Sequence, residues 1–473
     1  MTQTAAILGG GVIGGGWAAR FLLSGWNVNI YDPDPEAERK IGEVLANARR
    51  SLPSLFETDL PTEGKLSFGS NLEAVVKDAS WIQESVPEQL ELKQKILADV
   101  QAVCDSKAIL ASSTSGFKPS QLQKLLDNPA QLIVAHPFNP VYLLPLVELV
   151  GDIDTVTVAK TVLVDLGMFP LHVRKEIDAH IADRFLEAVW REALWLIKDG
   201  IATTREIDDA IRFGFGLRWA QMGLVETYRV AGGESGMAHF LAQFGPALKW
   251  PWTKLMDVPE LTDELIKLIA DQSDDQSGNH SIRELERIRD DNLVGILRAL
   301  KTRNWGAGEV LNLHDRQLRP EQTAPENKPF VSIKRSIPID WIDYNGHMNE
   351  SRYGQVFSDA ADAIMEYIGA DQAYIESGLS YFTVETRIRY LDETKSGERI
   401  YVNTQVLTAD GKKLKLLHEM HHIDGRLLAT GEQMLIHVDL NSRRACLPQA
   451  DILAKSEQLA AAHKSLPKPD YLS

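Results

Sequence analysis

The spacing of hydrophobic residues changes twice along this chain. The opening, "AAILGGGVIGGGWAARFLLSGWNVNIYD", sets a short apolar run, a glycine-rich turn, apolar residues at helical spacing and a second apolar run. That order predicts strand, turn, helix and strand. "ASWIQESVPE" (79–88), "AILASSTSG" (108–116) and "LIVAHPFNP" (132–140) continue the alternation, so a doubly wound α/β sheet is expected. Past residue 200 the period is helical. "TTREIDDAIRFG" carries Thr204 as its expected N-cap, and "SIRELERIRDDNLVGILRALKTR" predicts an amphipathic helix. The stretch 313–330 is polar, aperiodic and holds three prolines, which is linker composition. After it the period becomes two, in "VSIKRSIPI", "YFTVETRIRYL", "RIYVNTQVL", "KKLKLLHEMHHI" and "RLLATGEQMLIHV", with Asp-Gly turns at 410–411 and 424–425. One helix interrupts these strands, from about Asn349 to Gly369, with an apolar stripe through Val356, Ala360, Ala363 and Ile364. The expected boundaries are 1–178 for the α/β domain, 179–320 for a helical domain, 321–328 for the linker and 329–473 for the last domain.

Length and charge narrow the function. A chain of 473 residues suggests about three folding units at roughly 100–200 residues each. A net charge of −16 repels nucleic acid and anionic membranes, so neither is an expected partner. Two cysteines, Cys104 and Cys446, supply no disulfide framework, and without a C-x-x-C pattern no metal is expected. No apolar run reaches the ~18 residues of a membrane span, and no targeting peptide is visible. A cytoplasmic chain acting on small molecules is the expectation.

The glycine turn carries the first chemistry. Gly9, Gly11 and Gly14 fit G-x-G-x-x-G, the turn of a Rossmann-type sheet. The first glycine allows the tight turn, the second lets backbone approach a pyrophosphate, and the third permits close helix packing. Val12 and Ile13 open the helix, whose unpaired N–H groups favour an anion. Asp32 ends the next strand, where a carboxylate accepts from a ribose hydroxyl and repels a 2′-phosphate. The expected cofactor is therefore NAD.

The ordered series "WIQESVPE", "ASSTSGF", "AHPFNP" and "PLVELV" resembles the L-3-hydroxyacyl-CoA dehydrogenase family over about residues 1–320. By position in those motifs the resemblance makes His136 the catalytic base, Glu148 its paired carboxylate and Ser115 the hydroxyl that contacts the reacting oxygen. The chemistry agrees. Oxidising a secondary alcohol requires a proton acceptor, and imidazole titrates nearest neutrality. A carboxylate on the other ring nitrogen fixes the tautomer and stabilises the imidazolium. In isolation His136 could equally be a satisfied histidine at a strand end. Where the family has an active-site asparagine this chain has Asp183. That aspartate would oppose an alkoxide yet favour a cationic substrate, or it could simply pair with Arg184 or Arg191.

Half of the ten tryptophans lie between 190 and 252. Such clusters are commonly helical core, but aromatic faces also attract quaternary ammonium groups. "GFGLRWAQMG" and "HFLAQFGPALKWPW" resemble the L-carnitine dehydrogenase branch of the family. That resemblance implies a 3-hydroxy acid bearing a trimethylammonium group, L-carnitine, as substrate. Phe138, Ile181, Ala182 and Phe244, together with Asp183, are the expected pocket residues.

In the last domain a strand, a helix and four antiparallel strands suggest an α+β hot-dog fold. "DYNGHMNESRY" resembles the Asp-x-x-Gly-His-x-Asn stretch of hot-dog acyl-CoA thioesterases of the 4-hydroxybenzoyl-CoA type. The resemblance makes Asp343 the catalytic carboxylate, as nucleophile or general base, with backbone N–H groups around Gly346 to Met348 polarising the thioester carbonyl. Tyr353 falls where that family often has an aromatic, and Glu350 replaces its second asparagine. The two resemblances together imply carnitine oxidation to 3-dehydrocarnitine and hydrolysis of betainyl-CoA to glycine betaine. Hot-dog sites lie at a dimer interface, so a homodimer is expected.

Overall fold

Eight short strands form the first sheet: Thr4–Leu8 (β1), Asn27–Tyr31 (β2), Leu66–Phe68 (β3), Trp81–Glu84 (β4), Ile109–Ser112 (β5), Leu132–Pro137 (β6), Leu146–Val150 (β7) and Phe169–His172 (β8). The computed structural model describes residues 3–231, 240–243, 252–254, 257, 260, 262–277, 279–318 and 328–467. The chain forms two compact units, residues 1–49 with 62–314, and 50–61 with 315–473.

In the first unit the strand order is β3-β2-β1-β4-β5-β6-β7-β8. Ala5 to Leu8 of β1 are fully buried, as expected of a parallel strand covered on both faces. The order reverses at β1 and β4, and ligands of such sheets bind at the carboxyl ends of the strands flanking that point. The glycine turn follows β1 there. The pairs are parallel except β6 with β7, which run antiparallel and place His136 directly opposite Glu148.

The helical part comprises Ala182–Lys198, Thr204–Ala210, Gly216–Ala231, Asp263–Ser277, Ile282–Thr302 and Ala307–Leu318. The cap expected at Thr204 is one residue earlier. Thr203 accepts from the Glu206 N–H at 3.3 Å while the Glu206 carboxylate accepts from the Thr203 N–H at 2.8 Å, a capping box that leaves Thr204 as the first helical residue. Of the stretch 313–330 read as linker composition, residues 313–318 are helical. Helix continues to Leu318 and strand begins at Phe330, while 319–327, which hold nearly all of the predicted linker, lie outside the described residues.

The second unit is built on strands Phe330–Ser336 (β9), Leu379–Tyr390 (β10), Arg399–Asp410 (β11), Lys413–His422 (β12) and Leu427–Asp439 (β13), in the order β10-β13-β12-β11-β9. Neighbours are antiparallel. Helix Glu350–Ile368 lies on this sheet, capped by Asn349 and ended by Gly369 in the left-handed region at φ +94°. Val356, Ala360 and Ile364 of the predicted stripe are fully buried. The approach is close enough that a Cβ at Gly431 of β13 would lie 2.6 Å from the Phe357 ring. A second helix, Ala450–His463, was not evident in the sequence. Asp59 also belongs to this unit, donating its N–H to the Lys334 carbonyl at 3.0 Å and pairing with Arg399.

Candidate active sites

The glycine loop fits a dinucleotide. Gly9 has φ +93°, and a Cβ at Gly14 would lie 1.8 Å from the Gly9 carbonyl oxygen, so neither position admits a side chain. A Cβ at Gly11 would meet nothing within 4 Å. That open face is where a diphosphate can approach backbone. The helix Val12–Leu23 starts beside it, with Val12 exposed and Ile13 half-buried. Asp32 accepts from the Gly10 N–H at 2.5 Å and the Asp34 N–H at 2.7 Å, which holds its carboxylate against the loop. A cavity of about 380 Å³ opens here, lined by Gly10, Gly11, Val12, Asn139 and Tyr142 along with several cationic side chains.

A second cluster surrounds His136. Its Nδ1 lies 3.1 Å from Glu148 Oε2 and its Nε2 lies 3.7 Å from Asp183 Oδ2. The imidazole therefore sits between two carboxylates. Glu148 is fully buried, and its other oxygen accepts from the N–H groups of Ile181 at 2.9 Å and Ala182 at 3.0 Å. Burial pushes the Glu148 carboxyl up, but hydrogen bonds from His136, Ala182 and Ile181 outweigh it and leave it below the usual range. Burial holds the Asp183 carboxyl above its ordinary value, against the attraction of His136. Asp183 thus faces the imidazole, while Arg191 lies 3.7 Å from Glu187 instead. Phe138 packs edge-on against His136, ring centroids 5.0 Å apart. Ser115 is half-buried on the turn after β5. Phe244 lies outside the described residues.

Sequence reasoning missed several polar groups here. His180 is fully buried, 5.5 Å from His136 between ring centroids, and its Nε2 donates to the Thr114 carbonyl at 3.3 Å. Burial and the neighbouring His136 hold its pKa down. Lys93 is buried between Glu84 at 2.8 Å and Glu88 at 3.1 Å, and Glu88 accepts from the Thr114 hydroxyl and the Gly116 N–H. Those bonds fix the turn that carries Ser115. The two glutamates could have been found, because both stand in the quoted motif "WIQESVPE"; His180 gave no such signal. The tryptophans depart from the helical-core expectation: Trp190, Trp219 and Trp252 are exposed, and Lys254 Nζ lies 3.7 Å above the Trp195 ring.

In the second unit Asp343 is half-buried in a tight loop. Its Oδ1 accepts from the Asn345 N–H at 2.8 Å and the His347 N–H at 3.4 Å. The proposed carbonyl-polarising N–H groups are occupied within the chain. Gly346 donates to the Asp343 carbonyl, His347 to the Asp343 side chain and Met348 to the Thr394 carbonyl. This loop closes on itself because Gly346, at φ +83°, turns the backbone back toward Asp343. Glu350 is exposed on the first turn of its helix. Tyr353 is buried, with its hydroxyl 3.4 Å from the Asp392 carbonyl and its pKa pushed up to about 12 by burial and by Asp392.

Residues 4–177 match the 3-hydroxyacyl-CoA dehydrogenase NAD-binding domain, 180–264 its C-terminal domain and 337–456 the thioesterase-like superfamily. The chain is 63% identical to an L-carnitine dehydrogenase/betainyl-CoA thioesterase of Ruegeria pomeroyi, over 99% of this chain and 98% of that one. It is 54% identical to the protein of the same name from Agrobacterium fabrum, over 98% and 96%. A solved 5-formyl-3-hydroxy-2-methylpyridine 4-carboxylic acid 5-dehydrogenase shares the fold at TM-score 0.54 and 24% identity, covering 64% of this chain and 99% of its own. With an NAD-binding dehydrogenase region and a thioesterase-like region in one polypeptide, the chain belongs to the L-carnitine dehydrogenase/betainyl-CoA thioesterase family.

Proposed function

We propose that this chain is a bifunctional enzyme that oxidises L-carnitine to 3-dehydrocarnitine with NAD and hydrolyses betainyl-CoA to glycine betaine and CoA. The observation that carries the first activity is the imidazole of His136 held between Glu148 and Asp183. Carbonyl-forming oxidation needs NAD as hydride acceptor, held by the glycine loop and Asp32. His136 Nε2 removes the hydroxyl proton, and Glu148 stabilises the imidazolium that forms. Ser115 donates to the substrate oxygen. Asp183 supplies a negative charge for the trimethylammonium group, and Phe138, with Ile181 and Ala182, shapes the wall beside it. A carboxylate in place of an amide is the substitution expected when the substrate is a cation.

Asp343 acts on the thioester as nucleophile or general base. Because the N–H groups of Gly346 and His347 are spent within the loop and that of Met348 on the Thr394 carbonyl, the thioester carbonyl is polarised by other donors. A second protomer supplies them in our reading. Edge strand β10 carries exposed Phe382 and Val384, and Tyr344 beside Asp343 is 97% exposed, which supports a homodimer through this unit. Among the described residues no helix is long and apolar enough to cross a membrane. We place the enzyme in the cytoplasm, where both cysteines stay reduced.

The deciding experiment is NAD reduction with L-carnitine, D-carnitine, 3-hydroxybutyrate and 3-hydroxybutyryl-CoA, beside thiol release from betainyl-CoA. L-Carnitine should be oxidised fastest, and His136→Ala should lower kcat by about 10²-fold or more. Preference for the acyl-CoA, or full activity of the His136 variant, would remove this reading.

A further inference from the structure

The cavity beside the glycine loop has a second wall. Helix Ile282–Thr302 contributes Arg283, Glu286 and Arg289 to its lining, together with Gly10, Gly11 and Val12 of the loop. The four cations that line this cavity differ in how they are spent. Arg39 pairs with Glu36 and Glu43, Lys40 with Asp34, and Arg283 with Glu43 and Glu286. Arg289 is held differently. Its Nε and Nη2 donate to one oxygen of Asp290 at 3.0 and 2.9 Å, and Nη2 also lies 3.3 Å from the Tyr142 hydroxyl. Asp290 is fully buried and its other oxygen accepts from that hydroxyl at 2.7 Å. Two side chains thus lock one edge of the guanidinium. Its Nη1 has no partner among the described residues.

We propose that Arg289 grips the diphosphate of the bound dinucleotide from the side opposite the glycine loop. A helix N-terminus alone offers partial positive charge and backbone N–H groups. A guanidinium facing it adds a full charge and directed N–H donors, and oxygen atoms of a diphosphate match that geometry. The lock by Asp290 and Tyr142 means that little rotamer freedom is lost when the anion arrives. Cofactor binding then joins the nucleotide-binding sheet to the helical part of the same unit, which also carries Asp183. The role is one of binding and positioning, since Arg289 touches the cofactor and not the reacting carbon.

The test reads binding rather than turnover. Dissociation constants for NAD, ADP and adenosine are measured by titration calorimetry on the full chain, for the wild type, Arg289→Met, Arg289→Lys and Arg283→Gln. Arg289→Met should weaken NAD and ADP by about 10-fold or more, the scale of one charge-assisted hydrogen bond, and leave adenosine within about 2-fold. Arg289→Lys keeps the charge but not the fork and should fall between; it also carries the test if the methionine variant does not fold. Arg283→Gln, which removes a cation already paired twice, should weaken ADP by less than about 3-fold. Unchanged NAD and ADP affinity in a folded Arg289 variant overturns the proposal, as does equal weakening of adenosine. Failure of the wild type to bind ADP at all would overturn it together with the assignment of the glycine loop.

Discussion

At the scale of single residues, Asp183 is the side chain by which the proposed site differs from that of a 3-hydroxyacyl-CoA dehydrogenase. Its carboxylate lies 3.7 Å from the nitrogen assigned to accept the substrate proton, and burial raises its pKa. A partly buried anion there costs free energy, which on the proposed reading a bound trimethylammonium group offsets. Asp183→Asn, which restores the asparagine the wider family has, should raise KM for L-carnitine by about 10-fold or more, the usual scale for a lost charged partner, and narrow the gap to 3-hydroxybutyrate. Equal KM values for carnitine in both forms would take the ammonium away from Asp183. Much of this cluster was legible beforehand. His136, Glu148 and Asp183 stand in motifs whose order along the chain is informative. His180 was not, because nothing in "EIDAHIAD" shows that left-handed φ values of 58° and 49° at Ala179 and His180 place that ring against His136.

At the scale of elements, one carboxylate serves two structures. Glu148 on β7 binds His136 with one oxygen and the first N–H groups of helix Ala182–Lys198 with the other. Glu148→Gln can keep its carbonyl on those N–H groups, but its amide then faces His136 Nδ1 and imposes the wrong tautomer. It should fold normally and lose kcat by about 10²-fold or more. Glu148→Ala should lose kcat and also about 1–3 kcal/mol of stability, read as a lower Tm, because two partly buried backbone donors lose their partner. The antiparallel pairing of β6 and β7 that makes this possible was not predicted, since both strands read as apolar runs without direction. In the second unit, fully buried His418 on β12 accepts from Thr404 and donates to Gln433, and burial lowers its pKa to about 4. The unfolded chain binds a proton near pH 6.5 and the folded unit does not. Stability is therefore complete above pH 6.5 and should fall by about 3 kcal/mol as pH drops toward 4. Thermal unfolding of the wild type between pH 7.5 and 5 should show this slope, and His418→Gln should reduce it, leaving the smaller share of His437 and His463, whose pKa values burial also lowers.

At the scale of the whole molecule the question is whether the two chemistries are one system. The change of period near residue 329 was enough to show two kinds of fold, because a helical stripe and a two-residue alternation bury different faces. It could not show that residues 50–61 belong to the second unit, since "RSLPSLFETDLP" has no pattern that names a partner. Cutting the chain within 319–327 would thus leave the thioesterase unit without Asp59 and its bonds to Lys334 and Arg399, and loss of activity in such a fragment would be ambiguous. A point substitution in the full chain avoids this. Asp343 is half-buried, and among the described residues its carboxylate accepts from the N–H groups of Asn345 and His347 in its own loop. Asp343→Ala should abolish thiol release from betainyl-CoA and leave the rate of NAD reduction by L-carnitine within about 2-fold, since sites without shared residues behave additively. Loss of NAD reduction in a folded Asp343 variant would mean that the sites are coupled. Undiminished thiol release would move the hydrolytic role to Glu350, seven residues on and exposed at the start of helix Glu350–Ile368.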